Sequence, residues 1–206
     1  MEKTIEEKVL DLIKIVYSEE YYRGIPIEYP DSIRPLQTDK FDSLIEFANN
    51  DLNVDIINYG NPELDCSDIF EMSLSKNIPV PFRLGSRDEI QSLINKLNKP
   101  LYYLSFRWCH FGPYITPLSW TKYTIENGSI RTEYLSEINQ NDAQNLQNKL
   151  ESFLQKNKIE ILLKEFLRTP VSELEGHMTY YDNLRPTVFV CLFGEIYHEE
   201  FNVKWD

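Results

Sequence analysis

Residues 120–135, WTKYTIENGSIRTEYL, carry the strongest fold signal in the chain. The central Asn127-Gly128 dipeptide readily takes the two positive-φ positions of a type I′ turn. A two-residue loop then pairs Ile125 with Ile130 and Lys122 with Glu133. The stretch predicts a β-hairpin with one largely apolar face, formed by Tyr123, Ile125, Ile130, Thr132 and Tyr134.

Helix and strand signals alternate on both sides of this hairpin. Thr4 and Glu7 form a capping box ahead of a helical apolar stripe, a second helix is expected from about Asp39, and Ser86 caps a third. Another helix is capped by Asn141 or Asp142, with a break near 157–158 before a second apolar set, so that two helices or one bent helix follow. Strands are expected over 54–59, 101–107 and 187–193, with a partial strand over 196–205, whereas prolines demote 68–84 to an edge strand or an extended loop.

These elements predict an α+β fold in a single domain, residues 1–206. The connections are irregular and one hairpin is already antiparallel, which favours a mainly antiparallel or mixed sheet with helices packed on it over a doubly wound parallel sheet. A chain of 206 residues can bury roughly 70% of its unfolded surface, so it needs neither a metal nor a disulfide to fold.

Composition excludes several classes of function. The chain has 21 Lys and Arg against 33 Asp and Glu, and a net charge of −12 disfavours binding to nucleic acid or to an anionic membrane. No apolar run is long enough to span a bilayer. The three cysteines are odd in number and far apart, as in a reduced cytoplasmic protein, and the charged N-terminus is unlike a signal peptide.

Negative charge is concentrated in two segments. Residues 41–75 hold eight acids and no Lys or Arg, and residues 171–206 hold seven acids against Arg185 and Lys204. These segments could be solvated faces, a surface that attracts a basic partner, or a carboxylate site for a divalent cation. We take Asp51, Asp55, Glu63 and Asp65 as the candidate partner-binding acids.

Sequence signatures of catalysis, metal binding and cofactor binding are missing. The glycines form neither common nucleotide loop, there is no Cys-x-x-Cys or His-Glu-x-x-His, and Gly-x-Ser-x-Gly is absent. Cys109 and His110 are neighbours, and adjacent residues of an extended segment point to opposite faces, so they do not form a nucleophile pair. We therefore expect no cofactor, no metal and no catalytic residue.

The stretch 107–114 is the second candidate site. Arg107, Trp108, His110 and Tyr114 stand where a strand runs into an irregular Gly-Pro loop, and Trp, Tyr and Arg dominate binding hot spots. The competing interpretation is that the aromatic residues pack the core where the strand leaves the sheet.

An acidic, Tyr- and Trp-rich chain without catalytic signatures fits a non-enzymatic cytoplasmic protein-binding module with a basic protein as its partner. In composition alone the profile is similar to that of bacterial immunity-type proteins, which block a basic toxin enzyme such as a nuclease. The alternative is a small enzyme or a small-molecule sensor with its site around Arg107, His110 and Tyr114, which requires these groups to converge in a pocket.

Overall fold

A computed structural model of the chain describes residues 3–17, 34–59, 67–174 and 186–193. Within these ranges the strands form one seven-stranded sheet, and helices pack on both of its faces. The predicted α+β fold is confirmed. The strands are β1 (Ile56–Tyr59), β2 (Ser67–Ser73), β3 (Leu101–Cys109), β4 (Tyr114–Ile115), β5 (Ser119–Glu126), β6 (Ser129–Leu135) and β7 (Glu160–Ile161).

Strand β3 is the centre of the sheet. β2 pairs with β3 from Ser67 opposite Cys109 to Ser73 opposite Tyr103, and β1 pairs with the outer side of β2. On its other side β3 pairs with β5 over 101–105 and with β4 at Trp108. All of these pairs are antiparallel, and only β4 with β7 is parallel, so the sheet is mixed but mainly antiparallel.

Strands β5 and β6 form a hairpin that turns at Asn127 and Gly128, whose φ angles are 52° and 78°. Its register places Ile125 opposite Ile130 and Lys122 opposite Glu133. The Lys122 Nζ atom donates to Glu133 Oε2 at 2.8 Å.

The N-terminal caps of the helices differ in whether a side chain forms the capping hydrogen bond. α1 carries the complete capping box, because Thr4 accepts from the backbone of Glu7 and the Glu7 carboxylate accepts from the backbone of Thr4. α5 begins at Asn141, whereas its N-cap is Gln140 without a side-chain cap bond, so Asn141 and Asp142 are helical residues rather than caps. The helices are α1 (Ile5–Val16), α2 (Arg34–Phe47) with a π-helical turn at Ala48–Leu52, α3 (Pro81–Leu84), α4 (Arg87–Leu97), α5 (Asn141–Lys156), α6 (Lys164–Leu167) and α7 (Val188–Phe193), with a 3₁₀ turn at Ser172–Leu174.

The two faces of the sheet are covered differently. On one face the sheet core, which includes Phe70, Leu104 and Trp108, packs against α2 and α5. The opposite face carries two separate clusters: the α4 cluster around Tyr103 and Ile94, and the α1 cluster, in which α1 and α7 pack near Cys109 and Tyr114. Alternation along β3 explains this division, since residues 104, 106 and 108 face one side while 103 and 109 face the other.

The expected strand at 187–193 is wrong, because Val188–Phe193 is the helix α7. All six of its residues are buried, so the run lacks the polar positions from which a helical period could be recognised. Its carbonyls find partners in the interior: Tyr17 Oη donates to Cys191 O at 2.9 Å, and Ser67 Oγ donates to Phe193 O at 3.0 Å. Satisfied carbonyls allow a helix end to be buried.

Two further expectations need correction. The prediction of an edge strand or an extended loop over 68–84 is wrong for its first part. β2 is an interior strand, and Pro79 and Pro81 lie beyond its end. The helix expected after 157–158 is reduced to the four-residue α6, because the strand β7 comes first; the predicted break lies at Lys158, whose φ is 55°. The partial strand proposed for 196–205 lies outside the described residues.

Candidate functional site

One side of α2 carries a row of exposed carboxylates. Asp39, Asp42 and Glu46 stand at positions i, i+3 and i+7, so they share one helix face, and the buried Leu44 and Ala48 occupy the opposite face. Asp51 lies further along, in the π-helical turn, and is also exposed. We call Asp39, Asp42, Glu46 and Asp51 the acidic stripe.

The acidic stripe has no counter-ions within the described chain. Its four carboxylates take part in none of the ion pairs formed there. Asp42 and Glu46, both negatively charged, stand four residues apart on the same helix. Like charges at this spacing oppose helix formation. The field of the stripe is therefore directed to solvent.

Asp55, by contrast, is committed to the fold. Its Oδ2 atom accepts from Val80 N at 2.9 Å and lies 3.4 Å from Nε of Arg83. The carboxylate thus fixes the loop between β2 and α3. This structural role competes with the one predicted for Asp55 in partner binding. Glu63 and Asp65 lie outside the described residues.

Asp68 and His110 form a half-buried pair at the end of β2 and β3. Asp68 Oδ1 lies 3.2 Å from His110 Nε2. The ring of Phe41 from α2 lies 6.5 Å from the imidazole, between centroids. In the sequence, Asp68 is one of the eight acids of residues 41–75, and its pairing with His110 was not predicted.

Glu71 is buried in the middle of the sheet. It stands on β2 between Ile57 of β1 and Ser105 of β3, and 8% of its surface is exposed. Burial raises the pKa of Glu71 to about 7. No hydrogen bond or ion pair to its carboxylate forms within the described ranges, so a negative charge there has no compensation.

Trp108 is a core residue and not a surface anchor. Its side chain is 0% exposed and packs edge-on against Phe41, with ring centroids 4.9 Å apart. Even-numbered residues of β3 face the sheet core, which decides the orientation of the indole. Trp120 on β5 is equally buried and donates from Nε1 to Gln147 Oε1 at 3.1 Å.

Tyr114 is buried in the α1 cluster, on the other face of the sheet from Trp108. Burial is the largest cause that raises the pKa of Tyr114. Its ring lies against Gly112, where an added Cβ would stand 2.6 Å from Tyr114 Cε2, so only glycine fits at that position.

The candidate constellation of Arg107, His110 and Tyr114 does not converge on one pocket. His110 lies beside Phe41, on the face of the sheet core, whereas Tyr114 belongs to the α1 cluster on the opposite face. Arg107 is half-buried on β3, and its backbone N–H donates to Thr116 Oγ1 at 2.9 Å. His110 and Tyr114 therefore do not line one pocket with Arg107.

Asp39 was not among the predicted residues, because the acidic segment was counted from residue 41. Helical spacing with Asp42 and Glu46 is the signal that could have found it. In the second acidic segment, 171–206, Glu173 lies within the described residues. Its Oε1 atom lies 3.5 Å from Nζ of Lys14 in α1. The other acids of this segment lie outside the described residues.

Within the described ranges, no group of three or more His, Cys, Asp or Glu side chains is arranged to hold a metal ion. None of the helices there combines the length and the apolar character that crossing a bilayer needs. Comparison with models of protein families, with curated proteins and with solved structures gives no match for this chain.

Proposed function

We propose that this protein is a non-enzymatic, cytoplasmic binding module that occupies a basic partner protein through the acidic stripe of α2. The observation that carries the proposal is the stripe itself: four exposed carboxylates on α2 and its π-helical turn, three of them on one helix face, without counter-ions in the described chain. A basic partner would relieve the repulsion that these charges exert on one another.

The partner class that best fits is a basic enzyme such as a toxin nuclease, whose site for phosphates is lined by Lys and Arg. Carboxylates of the stripe would take the positions of the phosphates and hold the site closed to substrate, as immunity-type inhibitors do. Asp42 and Glu46 are the central residues of the stripe, so they are the first contacts we assign.

Capture and quantitative binding together test this proposal. The tagged protein is used to capture partners from its native lysate at low salt, and the partner that a salt step releases is purified. Its association rate is then measured against the wild-type protein over a range of ionic strength. We expect a basic protein whose association slows steeply as salt rises, because exposed charges are screened.

Two double variants separate the stripe from net charge alone. Asp42→Lys with Glu46→Lys should weaken binding by tenfold or more, whereas Glu137→Lys with Glu165→Lys, which changes the net charge equally at other exposed positions, should weaken it much less. Equal losses in the two variants, or an association rate that salt does not change, would refute the role of the stripe.

A further inference from the structure

Strand β6 is an open edge of the sheet. It pairs with β5 along its full length, and within the described chain it has no second neighbour. In an antiparallel pair alternate residues direct their N–H and C=O groups away from the partner, so β6 offers a row of unpaired backbone groups. The opposite edge, β1, is shorter, and Arg83 Nη2 donates to Ile56 O there at 3.1 Å.

The side chains of β6 are complementary to a second copy of the same strand. If two β6 strands pair antiparallel about a two-fold axis at Thr132, Arg131 of each copy stands opposite Glu133 of the other. Both charged residues are odd-numbered and therefore share one face, as directly opposed residues must. The same register sets Ile130 opposite Tyr134, which is 81% exposed in the single chain.

The ion pairs within each chain would connect with the Arg131–Glu133 pairs between the two copies. Within one chain Arg131 Nη1 lies 2.7 Å from Glu126 Oε2, Arg131 Nη2 lies 3.2 Å from Glu133 Oε1, and Lys122 Nζ lies 2.8 Å from Glu133 Oε2. Pairing two copies would join these into rows of alternating sign, running from Lys122 and Glu133 of one chain to Arg131 and Glu126 of the other. Isolated exposed ion pairs contribute little, but alternating networks contribute more.

We propose that β6 pairs antiparallel with β6 of a second copy of this chain, about a two-fold axis at Thr132, and so joins the two sheets into one. A symmetric contact of this kind uses the same surface on both copies. Its area is modest because it rests on one seven-residue strand, so we expect a dimer that dissociates on dilution.

Charge exchange provides the test. Sedimentation analysis of the wild-type chain over a concentration series should show reversible dimerisation. Arg131→Glu sets carboxylates opposite each other, Glu133→Arg sets guanidinium groups opposite each other, and each variant should weaken self-association by tenfold or more. An equimolar mixture of the two variants should restore the dimer, because both cross-strand pairs are then of opposite charge.

Matched variants control for the change in charge, and a second measurement locates the contact. Lys99→Glu and Glu137→Arg change exposed residues elsewhere and should leave self-association unchanged. In the wild-type chain, amide hydrogen exchange over 129–135 should slow as concentration rises. A wild-type chain that stays monomeric, or a dimer that survives both single variants, would overturn the proposal. Failure of the mixture to associate, or capture of a different protein on the β6 edge in place of the second copy, would overturn it equally.

Discussion

Replacing Glu71 by Gln should stabilise the folded protein, and the gain should grow with pH. Glu71 is held in the interior between Ile57 and Ser105, and ionisation places a charge there without a partner. The amide of Gln keeps nearly the same shape and cannot ionise. The nearby Tyr103 and Tyr123 are also affected, since their pKa values are raised first by burial and then by the charge of Glu71.

The magnitude follows from the pKa of Glu71, which burial raises from 4.5 to about 7. A folded-state pKa above the unfolded value means that the folded protein binds the proton more tightly. The contribution of Glu71 to the free energy of unfolding is therefore most favourable below pH 4.5 and becomes less favourable as pH rises toward 7. One pKa unit corresponds to about 1.4 kcal/mol, so full ionisation of Glu71 costs about 3 kcal/mol of the free energy of unfolding.

Urea unfolding of the wild-type protein and the Glu71→Gln variant, measured from acidic to mildly alkaline pH, tests this reasoning. The variant minus wild-type difference should increase by about 3 kcal/mol across the window, mostly between the two pKa values. Glu46→Gln removes the same formal charge from the exposed acidic stripe and should show no comparable trend. If the gain from Glu71→Gln were the same at every pH, Glu71 would not be ionising in a buried site.

Three other substitutions have outcomes that the same unfolding assay can measure. Thr124 Oγ1 is buried without a hydrogen-bond partner in the described chain, so Thr124→Val should raise the free energy of unfolding by about 1 kcal/mol; a loss would mean that the hydroxyl is satisfied. Gly112→Ala should cost roughly 1–3 kcal/mol, because its Cβ would overlap the buried ring of Tyr114. Gln147→Leu should cost about 1–3 kcal/mol by leaving the Trp120 indole N–H without its acceptor, whereas an unchanged stability in either of these variants would contradict the packing described.

Local signals in the sequence predicted much of the secondary structure. The Thr4–Glu7 capping box and the periodic stripes of α4 and α5 need only neighbouring residues to form, so sequence is enough to recognise them. The hairpin is equally local, since its register depends on a two-residue turn. Elements of this kind can be predicted from neighbouring residues alone.

The incorrect predictions depended on contacts between distant residues. The run at 188–193 is a helix because its surroundings cover every side of it, and a fully buried run has no polar face to reveal its period. The position of β2 inside the sheet is set by β1 and β3 on its two sides, which no property of residues 67–73 alone specifies.

The exposure of acidic residues also depends on contacts between distant residues. That exposure decides which residues should be altered first. Asp55, Asp68 and Glu71 belong to the acidic segment in sequence, yet they respectively fix a loop, pair with a histidine and lie in the interior. Counting charges along a chain cannot separate these from the exposed Asp42 and Glu46, because strand residues change face at every step and depend on what covers each face. Reversing the charge of Asp55 would therefore disturb the fold and confuse the result, whereas reversals on α2 change the surface alone, and the binding hypothesis should be judged on them.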